Sequence, residues 1–167
     1  MTDVETIVRM GQLAVSSDPD VVLTSLGLGS CIGLALIDQV ARVAGLAHIM
    51  LPESRPGVDE PARFADTAVP LLLEGVLAAG ARRLRLQAIL VGGAQMFALS
   101  GGRSGSLDVG LRNEEATRAA LREERLEVVQ SVTGGSVGRT VRVHVARAAV
   151  SVKEAGGKEV AIWGTSS

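Results

Sequence analysis

The stretch Ile32-Gly33-Leu34-Ala35-Leu36-Ile37-Asp38-Gln39-Val40-Ala41-Arg42-Val43-Ala44-Gly45-Leu46-Ala47-His48-Ile49-Met50 decides the fold. Two short apolar runs flank a polar reversal, so residues 32–37 and 43–50 read as strands joined by a tight turn. Working outward, further short apolar or alternating runs predict strands at 21–24, 86–91, 126–132, 141–145, 148–152 and 160–163. Between 139 and 147 the alternation is clean: Val141, Val143 and Val145 share one face, Arg142 and His144 the other. Ala155-Gly156-Gly157 reads as a hairpin loop.

Two segments carry helical signals. One runs over about 66–79, with Asp66 as cap, Pro70 near the first turn and Gly80 as stop. Its Val69, Leu72, Leu73, Val76 and Leu77 recur at helical spacing. The other runs over about 113–124, with Asn113 as cap and Glu114 and Glu115 where the helix dipole favours anions. About eight strands and two main helices without regular alternation predict an α+β fold of packed, mostly antiparallel or mixed sheets flanked by the helices.

The chain has 167 residues, 47% of them hydrophobic, with 17 basic against 18 acidic. That length supports one domain over 1–167, with a core at about 4–163 and a frayed C-terminal tail. A near-neutral chain lacks the charge of a nucleic-acid binder. With no Tyr and only Phe64, Phe97 and Trp163 aromatic, it also lacks the rings that stack bases. The start, Met1-Thr2-Asp3-Val4-Glu5, is acidic where a secretory signal is basic. The most apolar stretch, 65–81, is broken by Asp66, Pro70 and Glu74, too short for the ~20 residues of a membrane span. The expectation is a cytoplasmic protein with no membrane insertion.

Cys31 is the only cysteine, which excludes an intramolecular disulfide and a Cys-based zinc cage. No His, Asp and Glu cluster has metal-ligand spacing, and neither metal nor cofactor is expected. Cys31 sits in Gly27-Leu28-Gly29-Ser30-Cys31-Ile32-Gly33, one residue too long for the dinucleotide fingerprint. Glycines there bring backbone N–H groups close to a bound group, as in an oxyanion loop; a tight turn with an inert cysteine is the competing reading. A two-residue turn at Gln39-Val40 sets Cys31 directly opposite His48, with Cβ atoms about 4.5–5.5 Å apart. A one-residue slip would send the two to opposite faces. An imidazole beside a thiol is the minimum for nucleophilic catalysis. His144, in contrast, reads as structural, and Arg82, Arg83 and Arg85 as a solvated turn cluster. The pairs Gly92-Gly93 and Gly134-Gly135 read as turns, or as the rim of a site.

The run Leu26-Gly27-Leu28-Gly29-Ser30-Cys31, followed by Ala47-His48-Ile49-Met50-Leu51-Pro52, resembles the CheD family of chemoreceptor glutamine deamidases. The resemblance continues through Phe64-Ala65-Asp66-Thr67-Ala68, Gly92-Gly93-Ala94-Gln95-Met96-Phe97, Gly110-Leu111-Arg112-Asn113 and Thr133-Gly134-Gly135-Ser136-Val137-Gly138-Arg139. It implies a cysteine hydrolase acting on glutamine side chains in the cytoplasmic helices of chemotaxis receptors, with Cys31 as nucleophile and His48 as base. The family's third residue, usually threonine, falls at Ser25, with Thr24 in reserve. Gly29, Ser30, Gly92 and Gly93 would line the substrate or oxyanion loop. Val132 departs from the acidic residue relatives carry there. The resemblance further implies a CheC-type phosphatase as partner, a monomer, glutamyl methyl ester hydrolysis in some relatives, and an α+β fold. A non-catalytic adaptor that binds receptor helices or the phosphatase is the alternative function.

Overall fold

The computed structural model describes residues 3–96 and 108–164; Phe97 and the tail at 165–167 lie outside them. Its centre is the hairpin quoted above, β4 (Ile32–Asp38) and β5 (Val43–Ile49), buried at every position. Burial on both faces explains why these strands read as continuous apolar runs rather than alternating ones. They form the middle of a five-stranded sheet with β2 (Leu13–Ser16), β6 (Gln87–Gly92) and β7 (Glu127–Thr133), in the order β2-β5-β4-β6-β7. A second sheet has the order β1-β3-β8-β9-β10, from β1 (Val4–Ile7), β3 (Val21–Leu28), β8 (Arg139–His144), β9 (Ala149–Glu154) and β10 (Glu159–Trp163). The β1–β3 and β6–β7 pairs are parallel and the others antiparallel, so both sheets are mixed.

Two apolar cores divide the molecule into three layers. Ile32, Leu34, Leu36, Val43, Ala47 and Ile49 pack on one face of the central hairpin against α1 (Ala65–Ala78) and α2 (Val109–Glu123). Ala35, Ile37, Ala44, Leu46, Ile89 and Val91 point the other way, against Leu23, Leu28, Val141, Val143 and Val150 of the second sheet. The period-2 geometry of strands sorts the side chains between these cores. At Gly33 a Cβ would come within 2.9 Å of Leu28 Cδ1 and 3.1 Å of Val141 Cγ1, so glycine lets the sheets close there.

Several expectations are corrected. The β4–β5 reversal holds four residues, with Asp38 opposite Val43, so the register lies two residues from the one expected. Asp38 builds this loop: its Oδ1 accepts from the N–H of Val40 and Ala41 at 3.0 Å each, and its Oδ2 accepts from Arg82 N at 2.9 Å. Burial alone would raise its carboxyl, but the N–H groups of Ala41 and Arg82 and the Arg85 guanidinium hold it below its ordinary range. Arg85 pairs with Asp38 at 3.0 Å and Arg83 with Glu124 at 2.7 Å, so the arginine cluster is partly structural rather than simply solvated.

Helix boundaries differ as well. Helix α1 is preceded by Phe64 without a side-chain cap, and Asp66 instead accepts from Ser54 N and Oγ. Helix α2 starts earlier than expected, capped by Asp108, whose Oδ1 accepts from Leu111 N at 3.0 Å. Asn113 is therefore inside the helix and fully buried. Strands β1 and β2 carry no sequence signal strong enough to name them. Both are four-residue edge strands with half-exposed patterns, where burial imposes little alternation.

Candidate active site

The link between β1 and β2 crosses from one sheet to the other at Val8–Gln12, and this crossing builds the site. Val8 N donates to Thr24 O at 2.7 Å, tying the crossing to β3. Gly11 N donates to His48 O and His48 N to Gln12 O, each at 2.9 Å, tying it to β5. The Val8 carbonyl is thereby fixed between the sheets. His48 Nδ1 lies 3.1 Å from it, and Ser25 Oγ donates to it at 2.9 Å.

His48 is 5% exposed and Ser25 fully buried. A carbonyl oxygen only accepts, so Nδ1 carries the imidazole hydrogen and Nε2 is left as the basic nitrogen. Burial pushes the His48 pKa below its ordinary value, with the Val8 bond partly opposing it. The ring is thus held neutral. Ser25 does not bond the imidazole, as a third triad member would; it shares the acceptor that orients it. Thr24 points to the outer face of the second sheet and donates to Glu5 Oε1 at 2.8 Å, within an ion-pair network with Arg142 and Glu159.

Cys31 lies just before β4 and packs, partly buried, against the inter-sheet core. His48 continues the same face of β5 as Ala44 and Leu46, which belong to that core. The register opposes His48 to Gly33 rather than to Cys31. Because the shift is two residues, the parity survives: Cys31 is the diagonal neighbour of His48 on one face. Diagonal partners in a ladder are about 7–8 Å apart at Cα and closer at Cβ, within reach of an imidazole and a thiol. The residue between them is Gly33, which has no side chain to intervene. Burial raises the Cys31 thiol above its ordinary value, so at neutral pH the resting pair is thiol and neutral imidazole.

The glycine loop is held from below. Cys31 O accepts from Gly93 N at 2.9 Å and Gly29 O from Ala94 N at 2.8 Å. The N–H of Gly93 is therefore bonded to the Cys31 loop. Gly92 is likewise scaffold: its O accepts from Gly134 N at 3.1 Å and from Arg139 Nη1 at 3.3 Å. Among the described residues, no backbone carbonyl accepts from Ser30 or Cys31 N–H. The two Gly-Gly pairs meet, and Arg139, 6% exposed, joins them by a further 2.8 Å bond to Gly134 O. Arg139 and Val8 are the site residues that sequence reasoning missed. A strand-end arginine reads as solvated, and a backbone acceptor leaves no side-chain signature.

Gly92 has φ +111, and a Cβ there would fall 2.3 Å from Cys31 O. We expect Gly92→Ala to cost about 1–3 kcal/mol in backbone strain alone, lowering Tm by about 2–4 °C per kcal/mol. Activity should fall more steeply than the folded fraction, since the displaced carbonyl is that of Cys31. Thermal melts paired with rate measurements check this; an unchanged melt and rate would contradict it.

His144, on the outer face of the second sheet, accepts from Arg147 Nη2 at 2.9 Å and has no contact with this site. Comparison with known proteins accords with the geometry. The family model described as CheD chemotactic sensory transduction matches residues 50–154. The chemoreceptor glutamine deamidase of Thermotoga maritima is 37% identical over 153 residues, covering 92% of this chain and 94% of that protein. The chain belongs to the CheD family. The chemoreceptor glutamine deamidase of Halalkalibacterium halodurans is 41% identical, covering 87% of this chain and 91% of its own. The probable chemoreceptor glutamine deamidase of Symbiobacterium thermophilum is also 41% identical, covering 89% and 92%. Among CheD relatives these span nearly the whole chain, including the Cys31 loop and His48. No helix among the described residues is long and apolar enough to cross a membrane.

Proposed function

We propose that this protein is a cysteine-dependent deamidase converting glutamine side chains of chemotaxis receptors to glutamate. The observation that carries the reading is the orientation of His48 by the Val8 carbonyl, with Cys31 packed against the core on the same side of the sheet, in a chain whose relatives are chemoreceptor glutamine deamidases.

In this reading Nε2 of His48 takes the Cys31 proton as Sγ bonds to the glutamine side-chain carbonyl carbon. The oxyanion is stabilised by the N–H groups of Ser30 and Cys31, which donate to no backbone carbonyl among the described residues. The imidazolium returns the proton to the departing ammonia, leaving a thioester on Cys31. Water, deprotonated by His48, attacks that carbonyl; the thiolate leaves and is reprotonated, and the product is glutamate. Two exposed apolar side chains, Leu26 in the β3 bulge and Met96 against Gly29, offer contact for a receptor helix. The same reading carries a cytoplasmic location, a monomeric state and a CheC-type phosphatase as second partner.

The test is mass spectrometry of receptor cytoplasmic fragments after incubation, reading the mass gain of Gln to Glu at defined positions. Binding without any conversion would leave the adaptor function instead. Ser25 acts as a positioning residue through Val8. We expect Ser25→Ala to lower kcat by about 3- to 10-fold, below the loss for His48→Ala, consistent with one neutral hydrogen bond of about 1 kcal/mol. Ser25→Thr, which keeps the hydroxyl, should retain most of the rate. A loss in Ser25→Ala equal to that of His48→Ala would contradict this role.

A further inference from the structure

The β4–β5 ladder ends at the pair Ile32 and Ile49; Cys31 and Met50 lie one step beyond it. Beyond that pair the two segments are bonded to other elements rather than to each other's backbone: Gly93 N donates to Cys31 O, and Met50 N donates to Arg63 O. One side chain closes the gap. Asn113 of α2, fully buried, places Nδ2 at 2.9 Å from Ser30 O and at 2.9 Å from Met50 O. Ser30 precedes the proposed nucleophile, and Met50 follows the proposed base by two residues.

We infer that Asn113 is a positioning residue that splints the open end of the hairpin and sets the distance between Cys31 and His48. The inference rests on the deamidase reading above. Its chemistry is specific to a primary amide. The NH2 group has two hydrogens, and two carbonyls take one each. Turned over, the amide would set its oxygen against two carbonyl oxygens, so the orientation follows from the partners. The chosen orientation leaves Asn113 Oδ1 buried without a partner. An unsatisfied buried acceptor costs about 1–3 kcal/mol, which an apolar residue at this helix position would avoid. The cost is retained where the two donors hold the site. The helix itself is anchored beside the loop, since Gly110 approaches Gly93 O and Ala94 O so closely that a Cβ would lie 2.5 Å from each.

The experiment compares Asn113→Ala with Thr117→Val, alone and combined with His48→Ala, using ammonia release from a glutamine-bearing receptor fragment. Thr117 Oγ1 donates to Asn113 O at 2.7 Å in the same buried stretch, so its variant controls for lost packing and hydrogen bonding in α2. We expect Asn113→Ala to lower kcat by about 10- to 100-fold, the scale of a misplaced reacting group, with KM within about twofold. Thr117→Val should lower Tm without lowering kcat. In the His48→Ala background Asn113→Ala should cost no more than about twofold, because the pair it aligns is already broken. Should Asn113→Ala fail to fold, Asn113→Ser, which keeps one donor, should give an intermediate kcat. Wild-type kcat in a folded Asn113 variant, or full additivity with His48→Ala, would overturn the inference. Neither result would disturb the deamidase reading, which fails if the wild-type protein converts no receptor glutamine or if folded Cys31→Ala or His48→Ala retains the wild-type rate.

Discussion

Replacing Cys31 by alanine is expected to reduce ammonia release from a receptor fragment by at least about 10⁴-fold, the scale of losing a catalytic nucleophile. The fold should persist. Cys31 is only partly buried, at the margin of the inter-sheet core, and no described hydrogen bond uses its sulfur. Its backbone carbonyl, which anchors Gly93 N, is kept in the variant. Circular dichroism and a thermal melt should therefore match the parent while the rate vanishes. Because no second cysteine exists to substitute for it, residual turnover cannot come from another thiol. A folded Cys31→Ala protein that deamidates at the parent rate would contradict the assignment.

His48→Ala should lower kcat/KM by about 10²–10⁴-fold, the usual contribution of a general base. The pH profile gives a sharper reading. Burial holds the His48 pKa below its ordinary value, so the acid limb of kcat/KM should have its midpoint below about pH 6.5. That limb should be absent in His48→Ala. The same depression makes a linked contribution to stability. It is fully present above about pH 6.5 and is lost as the pH falls through the lowered value, because the unfolded chain binds the proton more readily. Since burial also raises the Cys31 thiol, iodoacetamide should react slowly at neutral pH and accelerate only above the ordinary thiol range of about 8.5. An acid limb that persists unchanged in His48→Ala would remove His48 from the proton transfer.

The central hairpin was legible because full burial demands long apolar runs, and Asp38 to Arg42 interrupts them with turn chemistry. Its register was not, because the reversal depends on three N–H groups converging on one carboxylate, Asp38, one of them from Arg82 far along the chain. A two-residue shift preserves strand parity, so Cys31 and His48 still fall on the same face of the sheet. Strands β1 and β2 were missed for want of burial, and with them Val8, whose carbonyl orients His48. Asn113 was read as a helix cap from its residue type, a sound rule for an exposed helix start. Here the start is Asp108, and Asn113 serves two carbonyls in the interior. Gly92 and Gly93 read from sequence as turns or as the rim of a site; in the structure Gly92 lies close against Cys31 O, and Gly93 N donates to that same carbonyl.

The single cysteine makes one measurement decisive. The protein is alkylated to graded extents with iodoacetamide at alkaline pH, the modified fraction is read from intact mass, and deamidation of a receptor fragment is assayed on each sample. The account predicts a rate that falls in direct proportion to the alkylated fraction and reaches zero when Cys31 is fully modified. Undiminished deamidation by the fully alkylated, folded protein would contradict it.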